Sequence, residues 1–456
     1  MKTEHCEVLI IGAGPGGYVC GIRAGQLGLD TIVLEQARPG GTCLNVGCIP
    51  SKALIHAADA FHRLTHFAGD TPLGIAAGPA MIDLGKTQAW KDRIVGRLNQ
   101  GVVSLLKKAK TRLVEGRAQI LDGKTVLAET ADGPVRIACE NLVLATGSRP
   151  ADLPNLPFGG KVITSTEALS LSEIPKGFAI VGGGYIGLEI GTAMAKLGSN
   201  VTIVEAADRV LPQYDAALTK PVEARLTELN IALHTDAKAK GQSEAGDLRV
   251  DASGAEFEIP CDKILVTIGR APNTHGFGLE GLGLTMAGPH VEVDDVCATS
   301  MRRVFAIGDL TGDPMLAHRA MAQGVIVAEH IAGLPSVWDK RAMPAVCFTD
   351  PEIVVVGDLP SSATAASVFP FAANGRAMTM ARADGFVRVV YDPETELVLG
   401  LQAVGAGASE LAGEFALAIE MCATLTDIAS TVHAHPTLGE TVQEVSHMAL
   451  GHALHI

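Results

Sequence analysis

Basic residues, long apolar runs and closely grouped cysteines are what this sequence has least of. Its 36 lysines and arginines are outnumbered by 50 aspartates and glutamates, giving a formal net charge of -14 at pH 7. Nucleic acids and anionic membranes are bound by basic surface that replaces their counterions, so neither is an expected partner. A basic protein patch remains one. No run of about 18 apolar residues occurs, so no membrane span is expected. The N-terminal apolar run is short, breaks at Gly12 and follows acidic residues where a secretory signal carries basic ones. It reads as a buried strand, and a cytoplasmic location is expected. Nine cysteines scattered over 456 residues, an odd number, do not form the dense framework of a secreted scaffold. In a reducing compartment a close cysteine pair is more often catalytic or metal-binding than structural. Aromatics are sparse at 4%, whereas 51 glycines and 47% hydrophobic residues describe a globular, glycine-rich α/β protein. The length implies several hydrophobic cores and about three domains.

What the sequence does contain is an internal repeat. "IIGAGPGGYVCGIRAGQLGLDTIVLEQA" (10 to 37) aligns without a gap on "IVGGGYIGLEIGTAMAKLGSNVTIVEAA" (180 to 207), glycine on glycine and Glu35 on Glu205. Each copy reads as strand, G-x-G-x-x-G turn, helix and second strand closing on an acidic residue. Gly12, Gly14 and Gly17 in one copy, and Gly182, Gly184 and Gly187 in the other, suit a chain that turns sharply and approaches a pyrophosphate. The helix N-terminus then faces the phosphates and the glutamate can bind ribose hydroxyls. Two complete copies point to two dinucleotides. A carboxylate at Glu205 repels a 2'-phosphate, so the second is expected to be NAD rather than NADP.

"LVLATGSRP" (142 to 150), with Thr146 and Gly147, and "VFAIGDLTG" (304 to 312), with Asp309, read as strands ending in small-residue turns. They flank the second repeat, so the first nucleotide domain is expected to be interrupted and later completed. "LVTIGRAPNT" (265 to 274), with Gly269, reads as the way out of the insertion. The expected division is 1–149 for the first nucleotide domain, 150–274 for the inserted one, 275–341 for completion of the first, and 342–456 for a third. Strand-like "PEIVVVG" and "GFVRVVYD" followed by helical "SELAGEFALAIEMCATL" make that third domain α+β.

Within "GGTCLNVGCIPSK" (40 to 52), Cys43 and Cys48 stand among glycines. Five residues of ideal helix rise about 7.5 Å and turn the two side chains to different faces, so regular helix could not readily close a bond between them. Backbone distortion is expected there, and Gly40, Gly41 and Gly47 make it cheap. Structural thiols, part of a metal site and a redox disulfide all remain open on these residues alone. Zinc would normally need four ligands at shorter paired spacings, and no second cysteine pair follows.

Taken together, "IIGAGPGGY", "GGTCLNVGCIPSK", "ATGSRP", "VGGGYIGLEIG", "FAIGD", "MLAHRAMAQG", "FTDPEI", "FPFAANGRA" and "HAHPTLGE" resemble the flavin disulfide reductases, and within them the dihydrolipoamide dehydrogenase branch, over nearly the whole chain. The ending "GHALHI" is similar to members serving branched-chain 2-oxo acid complexes. The resemblance implies a fold of two nested Rossmann-like dinucleotide-binding domains plus a C-terminal α+β dimerisation domain. It also implies FAD at the first repeat, NAD at the second and a homodimer. The reaction it implies is oxidation of dihydrolipoamide carried on lipoyl domains, with the acyltransferase core of a 2-oxo acid dehydrogenase complex as partner. One departure is visible: only "SSATAASV" separates "PEIVVVGDLP" from "FPFAANGRA", so a helix usual in the family, near residues 358–368, is expected to be shortened or missing.

The same resemblance implies roles. Cys43 would exchange with substrate and Cys48 would face the flavin. Lys52 would sit beside the flavin and pair with Glu189, and Tyr185 would cover the flavin until nicotinamide arrives. His435 would be the base that makes substrate thiolate, oriented by Glu440 and supplied by the other subunit. Asp309 would bind the flavin's ribityl or phosphate region, with Gly41, Thr42, Thr146, Gly147 and Gly269 as further cofactor contacts. His433 could form an H-x-H metal pair with His435, but without a third ligand it reads as a structural histidine. Glutathione reductases usually prefer NADP and want arginines where Glu205 stands. Mercuric reductases carry a C-terminal cysteine pair, whereas the last cysteine here is Cys422. A non-catalytic docking subunit would have no evident use for Cys43, Cys48, His435 and Glu440 together.

Overall fold

The structure is a computed structural model and describes residues 2–66 and 73–456. Three β-sheets organise it. In the first, the parallel strands Arg112–Glu115, Thr31–Glu35, Lys2–Ile11 and Gly133–Leu144 lie side by side, with Val304–Ala306 added beside Leu142 to Leu144. The alternation of side chains along a strand explains the apolar run near the N-terminus. Val8 and Ile10 pack with Cys20, Ala24 and Val327 on one face. Leu9 and Ile11 pack with Ile120, Leu142 and Leu282 on the other.

The second sheet repeats this order. Ala232–His234, Asn200–Val204, Gly177–Val181, Lys263–Val266 and Val162–Ile163 are all parallel. Its central strand is again buried on both faces, with Phe178 and Ile180 in one core and Ala179 and Val181 in another. The aligned repeats become matching βαβ units: helices Pro15–Gln26 and Tyr185–Lys196 are each 12 residues long. The chain crosses between the two units along Ser148–Pro150 and Arg270–Pro272, which pair antiparallel.

The third sheet is antiparallel, in the order Ala345–Cys347, Glu352–Gly357, Val398–Gly405, Phe386–Tyr391, Ala365–Pro370. Helices Ala412–Glu420, Leu425–Ser430 and Glu440–Ala449 bury Phe415, Ile419, Ile428, Val442 and Val445 against it. Two nested nucleotide-binding units and an α+β unit are the expected fold class. Residues 358–364 join Glu352–Gly357 to Ala365–Pro370 with no helix between them. Among the described residues no helix is long and apolar enough to cross a membrane.

Candidate redox site and nucleotide cradles

Gly47 breaks the chain between two helices. Helix Gly41–Val46 ends at Gly47, whose φ of -138° and ψ of -104° are not helical, and helix Cys48–His66 begins on the next residue. A Cβ on Gly47 would stand 2.9 Å from the Thr42 carbonyl oxygen, so only glycine lets the chain fold back this tightly. This is the distortion that the spacing of the cysteines demands. Cys43 and Cys48 come close enough for their thiols to interact directly.

The two thiols share one proton unequally. Cys48 is brought down to about 7, first by the hydrogen bond from Cys43, against the cost of desolvation, and then by the Lys52 charge. Its place at the start of a helix favours the anion further. Cys43 is pushed up, because it gives that hydrogen bond, is partly desolvated and lies beside the negative charge on Cys48. Elsewhere burial pushes Cys6, Cys20, Cys139, Cys297 and Cys347 up to about 12, so these are inert packing thiols.

Both cysteines line a cavity of about 1000 Å³, at the large end of small-molecule sites. Its wall also carries Gly12, Gly14, Glu35, Gly41, Thr42, Lys52, Thr146, Gly147, Tyr185, Glu189 and Asp309. Lys52 Nζ bonds Glu189 Oε2 at 2.7 Å, the pairing expected from sequence, and Glu189 is only 4% exposed. Tyr185 opens the helix Tyr185–Lys196, and burial pushes its phenol up to about 12. Asp309 Oδ2 accepts from the Ser148 hydroxyl at 2.5 Å. Arg270 Nε in turn donates to Ser148 Oγ at 2.7 Å. Thr146 and Asn273 exchange two hydrogen bonds of 2.9 Å, which brings Gly147 to the cavity wall.

The three glycines of each repeat do three different things. Gly12 (φ +99°) and Gly182 (φ +108°) make the sharp turns. Gly17 and Gly187 let helix meet strand, since a Cβ would come within 1.9 Å of the Gly12 oxygen and 2.3 Å of the Gly182 oxygen respectively. Gly14 and Gly184 cap their helices without any side-chain bond, leaving the first N–H groups free for an anion. Open space surrounds Gly184, and Gly14 touches only the backbone of Gly41. A dinucleotide such as the expected FAD fits this cradle, and the second repeat offers the same one. Glu35 and Glu205 behave alike. Their carboxylates accept from Ala13 N at 2.7 Å and Gly183 N at 2.6 Å, and from Ala37 N at 2.9 Å and Ala207 N at 2.7 Å. Each glutamate thus pins its own glycine turn, a service not evident in the sequence.

His435 Nδ1 lies 2.8 Å from Glu440 Oε1, and Glu440 Oε2 accepts from Thr437 N at 2.8 Å. Burial raises the Glu440 carboxyl, but the Thr437 N–H and His435 outweigh it and hold it below its ordinary value. His435 is 80% exposed, and neither it nor Glu440 lines the cysteine cavity of its own protomer. His433 is held between Glu414 Oε1 at 2.7 Å and the Thr431 carbonyl at 2.9 Å. Among the described residues no group of three or more side chains is set to hold a metal. Gly269 (φ +133°) lies at the crossing between units rather than in the cavity wall.

Residues 6–324 match the pyridine nucleotide-disulphide oxidoreductase family, and residues 343–446 match that family's dimerisation domain. The chain belongs to this family. A dihydrolipoyl dehydrogenase of Pseudomonas aeruginosa is 56% identical over 463 residues, covering 100% of this chain and 99% of the relative. One from Geobacillus stearothermophilus is 44% identical, covering 99% and 97%. Among solved structures, LpdA of Mycobacterium tuberculosis has a TM-score of 0.89 at 28% identity, covering 98% of this chain and 99% of that one. Ser148, Arg270 and Asn273 also line the cavity, a place that their sequence motifs do not announce. The signal for them is a polar or charged side chain within a few residues of a glycine that follows a buried strand.

The cradle geometry yields a prediction for this oxidoreductase. Gly187→Ala forces a Cβ against the Gly182 oxygen in the second repeat only. The purified variant should keep its flavin while the KM for NADH rises at least about tenfold, as a displaced turn loses its phosphate contacts. Unchanged KM with unchanged flavin content contradicts the assignment of the second repeat to the nicotinamide nucleotide.

Proposed function

We infer that this chain is a dihydrolipoyl dehydrogenase, which oxidises the dihydrolipoamide of lipoyl domains and reduces NAD, with FAD as its resident cofactor. The observation that carries the reading is the lowered thiol of Cys48, set between Cys43 and Lys52 in the wall of a dinucleotide-sized cavity. FAD held there supplies the two-electron relay between a dithiol and a nicotinamide. Gly12, Gly14, Gly41, Thr42, Thr146, Gly147 and Asp309 line its cavity, while Gly182, Gly184 and the helix that begins at Tyr185 offer the cradle for NAD.

In the oxidised protein Cys43 and Cys48 form a disulfide. His435 takes the proton of one substrate thiol, the resulting thiolate attacks Cys43 Sγ, the S–S bond breaks, and its electron pair leaves on Cys48. The Lys52 ammonium and the helix N-terminus stabilise that thiolate. The second substrate thiol attacks the substrate sulfur bound to Cys43, and its proton passes to the Cys43 sulfur as that leaves. Cyclic lipoamide departs and Cys43 is released. Nδ1 of His435 donates to Glu440, so Nε2 carries the free lone pair that takes the proton.

Since His435 lies outside the cysteine cavity of its own protomer, the base is read as coming from the partner subunit of a homodimer joined through the dimerisation domain. The lipoyl substrate implies an acyltransferase core of a 2-oxo acid dehydrogenase complex as the wider partner. On this reading the enzyme works in the cytoplasm. An assay of the purified protein with each pair of substrates tests the reading. Dihydrolipoamide with NAD should exceed glutathione disulfide with NADPH by at least about 100-fold in kcat/KM. Faster turnover with glutathione disulfide overturns it.

A further inference from the structure

Two helices carry the redox site and its neighbour across the cavity: Cys48–His66 and Tyr185–Lys196. Two ion pairs join them, Lys52 Nζ to Glu189 Oε2 at 2.7 Å and Lys196 Nζ to Asp59 Oδ1 at 2.5 Å. From Lys52 to Asp59 and from Glu189 to Lys196 the step is two helical turns on both helices, with the polarity reversed. A slip of one turn would break both pairs, so together they fix the register of the Cys48 helix.

A third element reaches both pairs. Past the edge strand Ala345–Cys347 of the C-terminal sheet, the chain enters the seam between these helices. Phe348 N donates to Glu189 Oε1 at 2.9 Å, and the Phe348 ring lies 4.4 Å from Lys52 Nζ. Two residues on, Asp350 Oδ2 accepts from Lys196 at 2.7 Å and Arg225 at 3.0 Å, and its Oδ1 from Arg382 at 2.6 Å. Glu189 is thus held from both sides, by the cation on one oxygen and the backbone on the other.

We propose that Phe348 is a positioning residue for the redox pair, its ring confining the Lys52 ammonium and its backbone N–H fixing Glu189, so that positive charge stays beside Cys48. The inference rests on the roles given above to Cys48 and Lys52. A lysine ammonium sits on a flexible four-carbon stem, and one carboxylate contact leaves it free to swing toward solvent. An aromatic face on a second side attracts the cation through the ring quadrupole and closes that path. Among the described residues of its own chain, the ionisable groups that act on Cys48 are Cys43, Lys52, Glu189 and Tyr185, with Cys347 near Lys52, and on the reading above the partner subunit's His435 faces the same pair. Replacing Phe348 removes none of them. A change in Cys48 titration then reports where Lys52 sits.

The test uses the FAD-loaded dimer reduced by one equivalent of dithiol, following the long-wavelength absorbance of a thiolate beside oxidised flavin as a function of pH. In the unsubstituted enzyme half of this signal should be lost near pH 7, where Cys48 takes its proton. Phe348→Leu should raise that midpoint by about half a pH unit, and Phe348→Met, also without a ring face, should do the same. Phe348→Tyr, which keeps the ring, should restore the original midpoint. An unshifted Leu or Met variant, or a Tyr variant shifted as far as they are, overturns the proposal. Absence of the signal from the unsubstituted enzyme would instead defeat the redox reading beneath it, and the proposal with it.

Discussion

Cys48→Ser should bind FAD normally and lose lipoamide turnover by at least about four orders of magnitude, since it removes the sulfur on which the electron pair of the disulfide leaves. A serine cannot form the disulfide, and an alkoxide is far too basic to leave in place of a thiolate whose conjugate acid is held near 7. The cavity should survive, because Cys48 is one wall residue among many and its helix starts from the backbone break at Gly47. Flavin content by absorbance and lipoamide turnover by NADH formation measure the two halves separately. Lipoamide turnover above a few per cent, with flavin intact, would rule out a disulfide between Cys43 and Cys48 as the route for electrons.

The second large effect is expected at the histidine. His435→Gln keeps a hydrogen-bonding side chain next to Glu440 but removes the free ring nitrogen that takes a thiol proton. The thiol half-reaction should slow by about 100-fold to 10,000-fold, the usual contribution of a positioned general base. Transfer from NADH to an artificial dye bypasses the thiols and should change by no more than about twofold. Rapid-reaction kinetics of the two halves measure the difference. Equal losses in both would remove His435 from the role of base and make it a structural residue of the dimerisation domain.

The nucleotide cradles were legible in the sequence because their physics is local. A positive φ at Gly12 or Gly182, and a helix pressed on a strand at Gly17 or Gly187, each leave only glycine possible within a few residues of chain. The bent backbone between Cys43 and Cys48 was legible for the same reason, since helix geometry forbids the alternative. The Lys52 and Glu189 pair came from the family resemblance, and the structure brings it together at 2.7 Å.

Less legible was whatever depends on distant segments meeting. Glu35 and Glu205 read as ribose ligands, and each also accepts, one on either oxygen, N–H groups of its own turn and of the residues after its strand. The folded turn brings those N–H groups round, and no spacing rule announces it. Phe348 and Asp350 sit in "FTDPEI", a motif quoted without a role. Their partners Lys52, Glu189, Lys196, Arg225 and Arg382 come from three different sheets' surroundings. A sequence shows that such residues are polar or aromatic, but the packing of three units decides what they touch.

The central claim is that Cys43 and Cys48 are a redox pair whose electrons pass through a bound flavin, with the thiolate on Cys48. The visible spectrum of the purified protein, before and after one equivalent of dithiol, tests it most directly. The account predicts a yellow protein that gains long-wavelength absorbance on reduction and loses it as pH falls through about 7. Flavin that is present but unchanged by dithiol, or that bleaches with no long-wavelength absorbance at any pH above that value, would contradict it.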